Sequence, residues 1–81
     1  MKVYVVIIED RHSDTDVVVF SSEYEAVEYA TGTAKKYCRH PEYFKESLND
    51  AMIKSGWKYH ATYSCEGDNV RVLERELHPA D

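Results

Sequence analysis

Six consecutive residues near the start of the chain, Val3-Tyr4-Val5-Val6-Ile7-Ile8, are β-branched or aromatic at every position. Side chains of this kind lose rotamer freedom in a helix and fit a pleated surface, so the run reads as a strand. It is far shorter than the roughly 20 apolar residues that a spanning helix requires. Both of its faces are apolar (Val3, Val5, Ile7 against Tyr4, Val6, Ile8), the pattern of a central strand covered on both sides.

The rest of the chain is read around that strand. Glu9 to Asp16 is polar and turn-forming, and Asp16 to Phe20 is strand-like again, which predicts an antiparallel hairpin over residues 2–20. Ser22-Glu23-Tyr24-Glu25 has the form of a capping box, in which the serine hydroxyl accepts from the third helical N–H and Glu25 reaches back to the cap. Val27, Ala30, Ala34 and Tyr37 follow at helical spacing. Gly32 interrupts this helix, and close approach to the sheet is the expected compensation. Pro41 ends the helix and opens the next at its first position. Phe44, Leu48, Ala51 and Met52 make a second apolar stripe, closed by Gly56 as a C-terminal glycine. Trp57, Tyr59, Ala61 and Tyr63 alternate with Lys58, His60, Thr62 and Ser64 at a period of two. A turn at 65–69 leads into a last strand over 70–77. The order ββααββ predicts an α+β fold, a four-stranded antiparallel sheet with two helices packed on one face. Residues 1–78 are expected to form a single domain, with a short tail at 79–81.

Charge narrows the partners. The net charge of −5 divides into −5 over residues 1–28, +3 over 29–58 and −3 over 59–81. A basic middle can hold an anion, whereas acidic flanks resist wrapping on a duplex, so direct duplex nucleic-acid binding is not expected. No membrane segment or signal peptide is read, and two cysteines are too few for a disulfide framework; a cytoplasmic chain with free thiols is expected. A chain of 81 residues buries only about 60% of its unfolded surface, which favours homo-oligomerisation.

Seven tyrosines against two phenylalanines point outward from the core, because core packing alone selects phenylalanine more often, and tyrosine is enriched where proteins touch partners. Tyr59, His60 and Tyr63 share one strand opposite Arg71 and Arg75. With Lys58, and with Arg11 and His12 from the first turn, they form the expected ligand-binding set, able to stack a base and pair a phosphate. The bland alternative is that Arg71 and Arg75 pair with Glu74, Glu76 or solvent. The charged turn Glu9–Asp16 lacks the glycine and distal glutamate of a calcium loop. Cys38, His40, His60 and Cys65 are zinc-ligand types without zinc spacing, and a Cys–His nucleophile pair among them lacks any readable orienting group. No catalytic residue, metal site or cofactor is therefore expected, and a non-catalytic binding protein is favoured over an enzyme.

Ile8-Glu9-Asp10-Arg11-His12-Ser13-Asp14 and Tyr63-Ser64-Cys65-Glu66-Gly67-Asp68, 13 of the 81 residues, carry a resemblance. In these segments the chain resembles small accessory proteins encoded by bacteriophages, especially phages of actinobacteria. The resemblance implies a phage or prophage protein in the host bacterial cytoplasm that counters host defence, either by sequestering a small anionic nucleotide-like ligand or, alternatively, by occluding a basic nucleic-acid-binding surface of a host effector protein. No residue role carries over with it.

Overall fold

In a computed structural model, which describes residues 1–78, the β-branched run forms strand β1 (Lys2–Glu9) and pairs antiparallel with β2 (Asp16–Phe20). The expected tail at 79–81 lies outside the described residues. Helix α1 (Glu23–Tyr37) follows, then a 3-10 turn (Pro41–Tyr43), strand β3 (Lys45–Glu46), helix α2 (Asp50–Lys54), β4 (Trp57–Thr62) and β5 (Asn69–Glu76). The strands form one sheet in the order β2-β1-β5-β4-β3, antiparallel at every step.

Helix α1 lies across one face of this sheet on a ridge of alanines. Ala26, Ala30 and Ala34, one turn apart, are completely buried, and their small side chains let the helix approach closely enough to seal Val6, Val70, Val72 and Ala61 from water. Ser22 caps the helix by accepting from Glu25 N–H at 3.3 Å, while the reciprocal Glu25 bond does not form. Gly32 is exposed and a Cβ there would meet nothing within 4 Å. The close approach expected at Gly32 is thus absent, because the alanines provide it on the opposite side of the helix.

Among the described residues the sheet has five strands, not four, and the order is ββαβαββ. The expected second helix breaks in two. Pro41 opens only a 3-10 turn, Phe44 is extended, and Lys45–Glu46 pairs with Thr62–Ala61 as the added strand. The Tyr59 hydroxyl donates to Glu46 at 2.6 Å, and Ser47 N–H donates to His60 C=O at 3.0 Å, so sheet bonds outcompete a helical turn here. Asn49 then caps α2 by accepting from Met52 N–H at 2.8 Å. This helix is five residues long, buries none of them and packs beside β4, so among the described residues α1 is the one helix that lies across the sheet. Gly56 does close α2, at φ +89°, a left-handed conformation that favours glycine.

The central position of β1 holds, but its coverage is one-sided. Tyr4, Val6 and Ile8 face α1, whereas Val3, Val5 and Ile7 lie half-buried on an open face beside Val17, Val19 and Leu73. A bulge between Trp57 and Tyr59 sharpens the division. It inserts one residue into β4, so the expected alternation fails at its first member. Tyr59, Ala61 and Tyr63 point under α1, while Trp57 turns to the open face.

Candidate functional site

The bulge and the strand period separate the residues expected to bind a ligand. Tyr59 is nearly buried under α1, its hydroxyl on Glu46; burial first, and then the Glu46 carboxylate, push it up to about 12. His60, Arg71 and Arg75 occupy the other face. His60 Nδ1 sits 3.3 Å from Ser47 Oγ and its ring is 5.5 Å from Trp57. Arg71 pairs with Glu9 and stacks on Trp57 at 5.6 Å. Arg75 donates to Ser55 C=O and Glu74 C=O, and Lys58 lies 3.9 Å from Glu74. The eight residues do not converge on one site.

Two of them, Tyr63 and His12, border a cleft of about 940 Å³ at the loop end of the sheet. Two of its walls come from the β1–β2 and β4–β5 loops. The third is the end of α1 with the 3-10 turn. The loop walls are joined by a clamp. Asp68, buried, accepts from Arg11 N–H of the first loop and from the Ser64 hydroxyl of the second, both at 2.8 Å. Tyr63, almost fully buried at the floor, donates to Asp10 at 2.8 Å. The His12 N–H and then the Tyr63 hydroxyl hold the Asp10 carboxyl below its ordinary value, and burial followed by Asp10 pushes the Tyr63 hydroxyl well above its own. Gly67, at φ +87°, turns the second loop so that Asp68 faces inward. Arg11 and His12 reach Glu66 at 3.9 and 3.4 Å across the junction. Arg11 itself borders a smaller hollow behind the clamp.

The third wall is chemically different. Lys36, Tyr37, Arg39, His40 and Tyr43 line it. Tyr37 and Tyr43 remain 51% and 37% exposed beside buried Tyr63, whose centroid is 6.3 Å from that of Tyr37, and Lys36 Nζ lies 5.6 Å over the Tyr37 ring. His40 packs edge-on to Tyr43 at 5.3 Å. Neither Lys36 nor Arg39 forms a salt bridge among the described residues. Opposite them stand five carboxylates, Asp10, Asp14, Asp16, Glu66 and Asp68, of which Asp10 and Asp68 are occupied by the clamp. The cleft is therefore bipolar, with an aromatic and basic wall facing an acidic one. Its volume falls within the range of about 300–1,000 Å³ typical of ligand sites.

None of the residues of the basic wall is in the ligand-binding set expected from sequence, where His40 figures only as a zinc-ligand type and Tyr37 only in the apolar stripe of the helix. Their signal was present in the positive segment 29–58, as Lys36-Tyr37-Cys38-Arg39-His40 followed by Tyr43. Cys38 and Cys65 are free thiols, and Cys65 borders the cleft. No three His, Cys, Asp or Glu side chains converge as metal ligands among the described residues, and no helix among them is long and apolar enough to cross a membrane. Comparison of the chain with protein-family models, curated proteins and solved structures finds no match.

Proposed function

We propose that the chain is a non-catalytic binding protein whose cleft takes a small anionic, nucleotide-like ligand. The observation that carries this reading is the pairing, on one wall, of the partly exposed Tyr37 and Tyr43 rings with Lys36, which lies over Tyr37, and Arg39, two cations without salt-bridge partners among the described residues. A ring stacks on tyrosine, and a phosphate is met by lysine and arginine. The opposite wall suits the remainder of such a molecule, since Asp14 and Glu66 can accept from ribose hydroxyls or an exocyclic amine. The resemblance to phage accessory proteins supports a role in the host bacterial cytoplasm, where withdrawing a nucleotide signal blunts defence.

Calorimetry and thermal shift against cyclic nucleotides and cyclic ADP-ribose isomers test the reading. Binding is expected with at least one of them. Lys36→Glu with Arg39→Glu is expected to weaken it by about tenfold or more, about 1.4 kcal/mol, while Arg75→Glu on the open face leaves it unchanged. No shift with any member of the set, or equal loss in both variants, overturns it.

The exposed acids of the loop wall favour a second reading, in which this end of the molecule fills a basic nucleic-acid channel of a host effector. That complex would be stoichiometric and would weaken steeply with salt.

A further inference from the structure

The two edges of the sheet are finished differently. Edge strand β3 is two residues long and both are charged, Lys45 and Glu46. A short, charged edge is how proteins discourage strand addition. Edge strand β2 is Asp16-Val17-Val18-Val19-Phe20, with four consecutive residues of high β propensity. It has no lysine, proline or glycine, and its register against β1 runs without a bulge. Among the described residues no strand pairs with its outer side. Val17 and Val19 on the open face are 53% and 56% exposed. On the helix side, Phe20 packs against Tyr29 at 5.3 Å, and Tyr29 is 40% exposed beside the same edge.

We propose that β2 is a self-association edge: two copies pair Asp16–Phe20 antiparallel about a two-fold axis at Val18, joining two five-stranded sheets into one of ten. The partner is a second copy because the segment is complementary to itself in this register. Val17 falls opposite Val19 of the other copy and Val19 opposite Val17, so four valines meet on the open face and continue the apolar row through Val5, Leu73 and Trp57. Asp16 falls opposite Phe20 rather than opposite a second Asp16, so no like charges are paired across the ladder. The Phe20–Tyr29 pairs flank the joint on the helix side.

The strand is only about 17 Å long, and the joint falls short of the roughly 800 Å² per partner of a standard interface, so the association is of the weak, exchanging kind. Its surroundings give it a signature. Asp14, Asp16, Glu23, Glu25 and Glu28 lie in β2 or in the segments that enter and leave it, and each copy carries net charge −5. Salt screens that repulsion while leaving backbone bonds and apolar contacts, so association strengthens as salt rises. Docking of the acidic face on a basic protein does the reverse.

Sedimentation velocity of the whole chain, from about 10 µM to 1 mM at low and high salt, tests this within the range expected of weak interfaces. A monomer–dimer equilibrium that tightens with salt is expected. Hydrogen exchange at the high end of the range should slow at outward-facing amides of residues 16–20 and nowhere on β3. Val17→Lys with Val19→Lys, on side chains already open to solvent, should leave the circular dichroism unchanged and weaken association by about tenfold or more. The exchange protection of the unaltered chain decides the matter should that variant misfold. A monomer throughout, association untouched in a folded double variant, or protection centred on β3 or on Trp57 overturns the proposal.

Discussion

The two faces of the sheet are made by the same strands yet live in different solvents. Under α1, Val6, Val70, Val72 and Ala61 are completely buried. On the other face, Leu73 of β5 is buried too, but Val5 and Ile7 of β1 are only half-buried and Val17 and Val19 of β2 stand more than half exposed. Composition does not distinguish the faces, for both are rich in valine. What distinguishes them is the single alanine-ridged helix, which is wide enough for one face, while α2 is too short to cover the other. Stability is therefore concentrated on one side of a sheet that is apolar on both.

The sharpest way to break this comparison is to place a charge on each face. Val70→Asp leaves an unpaired carboxylate beneath α1 and is expected to cost more than about 4 kcal/mol, enough to unfold a domain of this size. Val19→Asp, on the open face, is expected to stay within about 0.5 kcal/mol. Urea denaturation of both variants checks the pair, and comparable losses would show that the open face is covered in solution.

Proton binding separates the faces next. Burial and nearby carboxylates raise the Tyr59 and Tyr63 hydroxyls, Tyr59 to about 12. The folded chain thus holds protons that the unfolded chain releases near 10.0. The resulting stability is complete below pH 10.0 and is lost as pH climbs toward 12. Asp10 works in the opposite sense, contributing above its ordinary 3.8 and losing that contribution as pH falls below it. Tyr59→Phe is expected to cost about 1 kcal/mol at neutral pH and to flatten the alkaline decline, measured as denaturation midpoints across pH 8–12. An unchanged decline would place its cause elsewhere.

Two glycines extend the contrast, the first on the solvent-facing side of α1. Gly32→Ala fills open space and is expected to stabilise by up to about 1 kcal/mol. Gly56→Ala would instead set a Cβ 3.0 Å from Arg75 Nη1 and 3.1 Å from Glu74 C=O at positive φ. It is expected to destabilise by about 1–2 kcal/mol. Thermal melts of the two variants should move in opposite directions.

Much of the fold was legible in the sequence wherever one period persisted. The hairpin of β1 and β2, the Ser22 cap of α1 and the β4–β5 pairing all follow from alternation, capping chemistry and turn residues. Two places were not legible, for related reasons. Phe44, Leu48, Ala51 and Met52 mimic a helical stripe, and nothing local reveals that Glu46 will be drawn to the Tyr59 hydroxyl or that Asn49 starts a separate helix. The bulge at Lys58 is likewise invisible in an alternation that continues unbroken on paper. It sends Trp57 to the face of His60 and Arg71, while the period of two itself parts Tyr59 and Tyr63 from His60, Arg71 and Arg75. The site suffered more than the fold, because the cleft is assembled from three segments distant in sequence. Its basic wall was present as charge in residues 29–58, but only the packing of α1 shows which loops that charge faces.

The Asp68 clamp has a mechanical consequence. By tying Arg11 to Ser64, it makes the two loop walls one jaw, whose buried acceptors Asp68 and Asp10 are already committed to Arg11, Ser64 and Tyr63. The opposing wall beyond α1 is held more lightly, with Tyr43 N–H on His40 C=O and Phe44 N–H on Pro41 C=O as its short-range bonds. In the segment 38–44, His40 meets Tyr43 edge-on, and Cys38 and Phe44 pack against the core. The cleft is thus bounded by one cross-tied wall and by one held through local bonds, so Asp68→Ala is expected to loosen the loop wall and leave the segment 38–44 as it is.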